Sequence, residues 1–194
     1  MKIEQLKIIF DFLEEKGEHR TPFLWKFKNN IPLTEEDLNV KGDLDLFDSK
    51  IKSLPKGLKV SGTLDLSYSK IISLPEGLEV GDNLYLHYSK IKSLPKGLKV
   101  GNSLTLFQSK ITSIPEDLNV KGYLHLEGSE ITSLPKGLKV GGELNISGTK
   151  ITSLPEGLEV GENLYIRYTE LEQYLDNELR EMVKPGFIKG KIIR

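Results

Sequence analysis

His87 and His125, together with the carboxylates Asp43, Asp45, Asp48 and Asp65, are the residues whose types could carry chemistry in this chain. A histidine pair can hold a transition metal or move a proton, and grouped carboxylates can bind a hard cation through oxygen. By strand geometry the two histidine backbones stand roughly 12 Å apart, near the outer limit for sharing one metal, and no third ligand converges on them. For Asp43, Asp45 and Asp65 a solvated acidic patch is the plainer reading. No serine has a histidine partner at a readable spacing, no glycine loop is arranged to cradle a phosphate, and the chain has no cysteine. These residues give no template for catalysis, so no enzyme, metal or cofactor is expected.

The bulk properties narrow the alternatives further. With 194 residues, 38% hydrophobic and 28% charged, the composition is that of an ordinary folded protein. Twenty-seven basic residues against 28 acidic ones leave a net charge of −1, which supplies no general attraction to phosphate backbones or anionic lipid. Neither nucleic acid nor a membrane is therefore an expected partner. The opening MKIEQLKIIFDFLEEKGEHR lacks the continuous apolar core of a signal peptide, and no long apolar span follows, so a cytoplasmic location is expected.

The elements that must position these side chains are repeats. Aligned on itself at a spacing of twenty, the chain shows seven copies beginning near Thr34, Leu54, Leu74, Leu94, Ile114, Leu134 and Leu154. In the second copy Leu64 and Leu66 alternate with Thr63, Asp65 and Ser67, which predicts a short strand with its leucines on one side. Gly62 supplies freedom where the chain turns into the strand, Ser69 bonds backbone as it leaves, and Pro75 begins the next coil. Each coil offers about six apolar residues inward (here Leu58, Val60, Leu64, Leu66, Ile71 and Leu74), too few to fold alone, so stacking must hold the array. Two charge columns support stacking independently. Lys56, Glu76, Lys96, Glu116, Lys136, Glu156 alternate in sign, as do Lys59, Glu79, Lys99, Asn119, Lys139, Glu159 apart from the asparagine. Such ladders disfavour a coil paired out of order.

The runs LDLSYSKIISLP and LTLFQSKITSIP resemble a leucine-rich repeat of the short bacterial type, and coils of the form LPxGLxVGGxLxLxxT are similar to a group of small leucine-rich repeat proteins of bacterial and phage genomes. The resemblance covers residues 34–169. It implies an α/β solenoid of seven 20-residue coils with a parallel sheet. Where that family has asparagine after the strand, this chain has Ser49, Ser69, Ser89, Ser109, Ser129, Thr149 and Thr169, and a valine-glycine pair replaces the leucine before the strand. Both departures point to a flatter array than a horseshoe. Bacterial effectors of related repeat type carry a cysteine ubiquitin-ligase domain, for which this chain has neither the cysteine nor the length.

The ends read as helical caps, giving an N-terminal cap over 1–33, the solenoid over 34–169 and a C-terminal helix and tail over 170–194. Ile3, Leu6, Ile9, Phe10 and Leu13 form one helical stripe, and Thr21-Pro22 opens a short turn carrying Phe23, Leu24, Trp25 and Phe27. Thr169 with Glu172 suggests a capping box for a helix whose apolar face is Leu171, Leu175, Leu179, Met182 and Val183, with GFIKGKIIR adding a final strand or packing back on the last coil.

Between the leucines lie the varied positions. Six of the seven tyrosines and two of the three histidines fall in the outward columns, and the lysines avoid them. Tyrosine, histidine, phenylalanine and arginine anchor interfaces, whereas lysine is depleted there, although aromatic residues also favour strands for packing reasons. The candidate binding residues are Phe47, Asp65, Tyr68, Tyr85, His87, Tyr88, Phe107, Tyr123, His125, Tyr165 and Arg167. The expected function is a non-catalytic protein-protein interaction module, a monomer whose partner offers basic and apolar surface; the phage resemblance implies a host factor. Carbohydrate recognition, a structural or virion-associated solenoid, and a cation-dependent enzyme are the alternatives.

Overall fold

The computed structural model describes residues 22–29 and 31–194. The chain divides into two compact units, Met1–Val40 and Lys41–Arg194. In the first, a helix over Pro22–Lys28 starts at a proline, a residue suited to the first helical turn. Phe23 is buried and stacks on Phe27, one turn away, at 5.5 Å between ring centroids. Lys26 pairs with Asp37 at 2.6 Å, and Asp37 also accepts the Thr34 backbone N–H at 2.7 Å. The apolar stripe expected over residues 3–16 lies outside the described residues.

The second unit is a parallel-sheet β-solenoid of about six turns with few helices. Each turn contributes two strands of two residues. The principal sheet stacks Leu44–Asp45, Leu64–Asp65, Leu84–Tyr85, Leu104–Thr105, Leu124–His125, Leu144–Asn145 and Leu164–Tyr165 in chain order, all parallel. Its register sets each leucine on the leucine twenty residues away, Leu64 on Leu44 and on Leu84. The apolar interior follows from that register. Leu58, Leu64, Leu66, Ile71, Leu78, Leu84, Leu86, Ile91, Leu104 and their equivalents are fully buried, each worth about 1.5–3 kcal/mol on leaving water.

A tight turn ends every principal strand. The N–H of Ser69 donates to the Leu66 carbonyl at 3.2 Å, and the same bond recurs at Ser49, Ser89, Ser109, Ser129, Thr149 and Thr169. Its third residue has positive φ, the position that a type II turn ordinarily gives to glycine. Gly128 and Gly148 fill it in two turns, but Asp48, Tyr68, Tyr88, Gln108 and Tyr168 hold it in the others.

The second strand of each turn forms a minor sheet on another side of the coil. Lys59–Val60, Glu79–Val80 and Lys99–Val100 pair in sequence, as do Asn119–Val120, Lys139–Val140, Glu159–Val160 and Phe187–Ile188. Between Val100 and Asn119 no strand pairing joins the two groups. The residue just beyond each strand makes the closest approach between turns. The N–H of Gly101 reaches the Val80 carbonyl at 2.8 Å, and a Cβ on Gly101 would sit 1.9 Å from the Gly81 oxygen. Gly81, Gly141 and Gly161 are equally crowded, and in the interrupted turn the equivalent residue is Lys121.

The charge ladder breaks at the same place. Glu79 pairs with Lys59 at 3.5 Å and with Lys99 at 2.9 Å, and Lys139 pairs with Glu159 at 2.9 Å, but Asn119 stands between Lys99 and Lys139. The hydrogen bond from Lys99, with the Lys59 charge, holds the Glu79 carboxyl below its ordinary range. In the other expected column, Lys136–Glu156 at 3.2 Å is the ion pair formed among the described residues.

The C-terminal segment differs from the single helix expected. Thr169 does not cap it, because its hydroxyl donates back to the Ile166 carbonyl at 2.6 Å. A 3-10 turn over Glu170–Gln173 is followed by an α-helix over Asp176–Met182, where Glu178 accepts the Leu175 N–H at 2.7 Å. Leu171, Leu179 and Val183 are buried, while Leu175, at the break, is exposed. The tail then adds a strand to each sheet, Phe187–Ile188 beside Glu159–Val160 and Ile192–Ile193 beside Leu164–Tyr165. Arg180 fastens it by donating to the carbonyls of Ile188 and Gly190.

Close backbone approach at the glycine column gives a direct expectation. Gly101→Ala should lose about 2 kcal/mol or more in denaturant unfolding, since backbone rather than a flexible side chain blocks the new methyl. Asn119→Glu should instead gain up to about 1 kcal/mol by completing the ladder. A Gly101→Ala protein as stable as the parent would mean that the minor sheet does not constrain the stack.

Candidate binding face

Three outward columns line the principal sheet, and they differ in what their side chains do. In the column before the strand, side chains hold the next rung: the Thr63 N–H donates to the Asp43 carboxylate at 2.7 Å, the Ser103 N–H to Asn83 at 3.1 Å, the Tyr123 N–H to the Ser103 hydroxyl at 3.1 Å and the Lys191 N–H to Asn163 at 3.0 Å. In the middle column several side chains turn back on their own chain. Asp45 accepts the Phe47 N–H, Asp65 the Ser67 N–H and Asn145 the Ser147 N–H, each a bond to the backbone two residues on. Asp43 is thus engaged in holding the next rung, and Asp45 and Asp65 in closing their own turns. Among the described residues, no three histidine, cysteine, aspartate or glutamate side chains converge to hold a metal ion.

The third column and the turn residue beyond it carry the aromatic surface. Phe47, Tyr68, Tyr88 and Phe107 form a continuous row, with centroid separations of 5.3, 4.6 and 5.3 Å. Phe47 is 55% exposed, Tyr68 50% and Tyr88 45%. The row continues into the sheet through His87, 6.3 Å from Phe107 and 5.8 Å from Tyr85. Tyr123, in the column before the strand, lies with its ring 4.6 Å from that of His125. Together these half-buried rings roof Thr105, an outward residue only 3% exposed, whose hydroxyl lies 2.9 Å from Nε2 of His87.

That roof sets the protonation of both histidines. Burial pushes His87 below the usual imidazole range, with Asp65 opposing it. Burial likewise lowers His125, against the opposing charges of Glu143 and Glu127 and with a further lowering from His87. Burial raises the Tyr85 phenol. At neutral pH the centre of the face is therefore an aromatic layer with neutral imidazoles.

The remaining candidates stand apart. Tyr165 is half-buried and its hydroxyl donates to Glu143 at 2.9 Å, while Arg167 is exposed. Neither makes a ring contact with the aromatic row among the described residues. Tyr168 was not among the expected binding residues, yet it is 83% exposed and has positive φ. Its signal in the sequence is its column, where tyrosine and glycine exchange. A left-handed backbone costs a non-glycine residue about 1–2 kcal/mol, so Tyr68, Tyr88 and Tyr168 combine strain with exposed apolar surface.

No protein-family profile and no curated protein matches the chain. The role of the face therefore rests on its geometry.

The histidines make the face sensitive to acid. Their folded pKa values lie below the unfolded value of about 6.5, so as pH falls through that value the unfolded chain takes up protons first and stability declines until the folded pKa is passed. The melting temperature should fall between pH 8 and pH 5.5, above the carboxylate range, and fall less in a His87→Gln, His125→Gln protein. Parallel pH profiles for the two proteins would contradict the burial of the imidazoles.

Proposed function

We propose that the protein is a non-catalytic protein-protein interaction module that binds its partner through the exposed face of the principal sheet. The observation that supports this most is the row Phe47–Tyr68–Tyr88–Phe107, with its first three rings exposed and two of them on left-handed backbone where other turns use glycine. Aromatic anchors of this kind dominate interface energetics, and strained residues cluster where function requires them. We further propose that the solenoid is a seven-coil array of the leucine-rich repeat type, with helical segments covering its two ends. On this reading it acts as a cytoplasmic monomer on a host factor. The partner presents an apolar or aromatic anchor to the rings and basic groups toward Asp45, Asp48 and Asp65.

Affinity capture with the protein and two double variants tests the reading. Tyr85→Ala with Tyr123→Ala should weaken partner retention by tenfold or more, as a hot-spot loss of roughly 2 kcal/mol implies. Lys56→Glu with Lys96→Glu, on the charge-ladder side, should retain the partner. The reverse pattern would place the functional surface on the other side of the solenoid.

A further inference from the structure

We infer that the aromatic row and a lysine row beside it form one docking strip for an acidic peptide segment bearing aromatic or aliphatic side chains, running across the turns along the solenoid axis. This rests on the protein-binding reading and names the chemistry of the bound segment.

The strip follows from the column two residues beyond the strained turn position. Lys50, Lys70, Lys90 and Lys110 occupy it, all exposed, with Ser69, Ser89 and Ser109 buried between each lysine and the turn residue before it. Backbone bonds from Lys70 N–H to the Ser49 carbonyl at 3.1 Å and from Lys110 N–H to the Ser89 carbonyl at 3.3 Å keep the column in register. Four like charges therefore stack at the rung spacing of about 4.8 Å. Repulsion at this spacing works against the stack, if weakly in water. Elsewhere the repeat avoids it by alternating sign, as in the Lys59–Glu79–Lys99 ladder.

The same column shows what satisfies it. One turn further on its residue is Glu130, and Lys110 reaches that carboxylate at 2.6 Å, a bond that holds the Glu130 carboxyl below its ordinary range. Lys50, Lys70 and Lys90 have no such carboxylate among the described residues. A partner acid seated against them would repeat the Lys110–Glu130 contact.

The rings exclude a nucleic-acid strand as the favoured occupant. Tyr68 and Tyr88 are stacked on one another at 4.6 Å and 26°, and Phe107 abuts Tyr88 edge-on, so no gap between ring faces is left for a base. On the flank opposite the lysines stand Asp45 and Asp65, which would repel a chain carrying phosphate on every residue. A polypeptide can carry acids along one edge, basic residues along the other and an apolar ridge between. That order matches carboxylates, rings and lysines across the strip.

Fluorescence anisotropy with labelled short peptides of alternating glutamate and phenylalanine tests the strip, using lysine-phenylalanine and glutamine-phenylalanine versions as comparators and polyuridylate as competitor. The glutamate peptide should bind at least tenfold more tightly than either comparator. Lys70→Glu should weaken it tenfold or more while leaving the melting temperature equal or higher, because the new carboxylate then alternates in sign with Lys50 and Lys90; a purely structural lysine would not give this split. Tyr68→Asn with Tyr88→Asn should also weaken it tenfold, asparagine being tolerated on left-handed backbone. Equal binding of the three peptides, no binding, or full affinity in the Lys70→Glu protein overturns the strip, and tighter binding by polyuridylate that displaces the peptide overturns the peptide occupant. If the strip variants keep a partner that the Tyr85→Ala, Tyr123→Ala protein loses, the strip fails while the protein-binding face stands.

Discussion

Every turn of the solenoid must lie on the turn twenty residues earlier, close enough for backbone to bond backbone, and the rest of the molecule depends on that constraint. It sets leucine on leucine in the interior and Val80 on Val60 beside it. It also determines which residues can stand at the tightest approach. At Gly81 and Gly101 a single added carbon would meet the carbonyl of the turn below at about 2 Å, so glycine there is a condition of stacking rather than a matter of loop flexibility. Where Lys121 stands instead, strand pairing in the minor sheet stops, while the principal sheet runs on unbroken through Leu104, Leu124 and Leu144.

The same stacking converts sequence variation into surface columns with different freedom. Asp43, Asn83 and Ser103 use their side chains to hold the next rung, and Asp45 and Asp65 bind their own turns, so variation there is limited to residues that can accept a hydrogen bond. The positions represented by Phe47 and Tyr68 have no such duty. They carry the rings, and at Tyr68 the ring stands on a backbone conformation that glycine would adopt with less strain. A surface composed for stability alone would repeat Gly128 and Gly148 in every turn.

Much of this was legible from spacing. The repeat, the inward leucines, the Lys59–Glu79–Lys99 ladder and the grouping of Tyr85, His87, Tyr88, Phe107, Tyr123 and His125 all follow from aligning equivalent residues, because a stacked coil places equivalents side by side. Features that depend on backbone dihedrals were not legible. Nothing in the letters of Tyr68 or Tyr168 states positive φ, although the glycines of their column hint at it. The division of labour among Asp43, Asp45 and Asp65 was hidden for the same reason, since one carboxylate reads alike whether it solvates or closes a turn. In the C-terminal segment periodicity suggested a single helix through Leu175, but the Thr169 hydroxyl bonds its own strand and the chain takes two short helices instead.

On the proposed binding role, tyrosine stands at the strained turn position for the surface it makes and at a cost to the fold. An exchange within that one column tests this most directly, with equilibrium unfolding of Tyr168→Gly and Gly148→Tyr compared with the parent. Tyr168 is almost fully exposed and has no ring partner among the described residues, and Gly148 has room for a side chain, with nothing closer than 3.7 Å to an added Cβ. Tyr168→Gly should gain about 1 kcal/mol, and Gly148→Tyr should lose about 1–2 kcal/mol. A loss of stability in Tyr168→Gly together with a gain in Gly148→Tyr would show that tyrosine serves the stack itself, and would contradict a role confined to the surface.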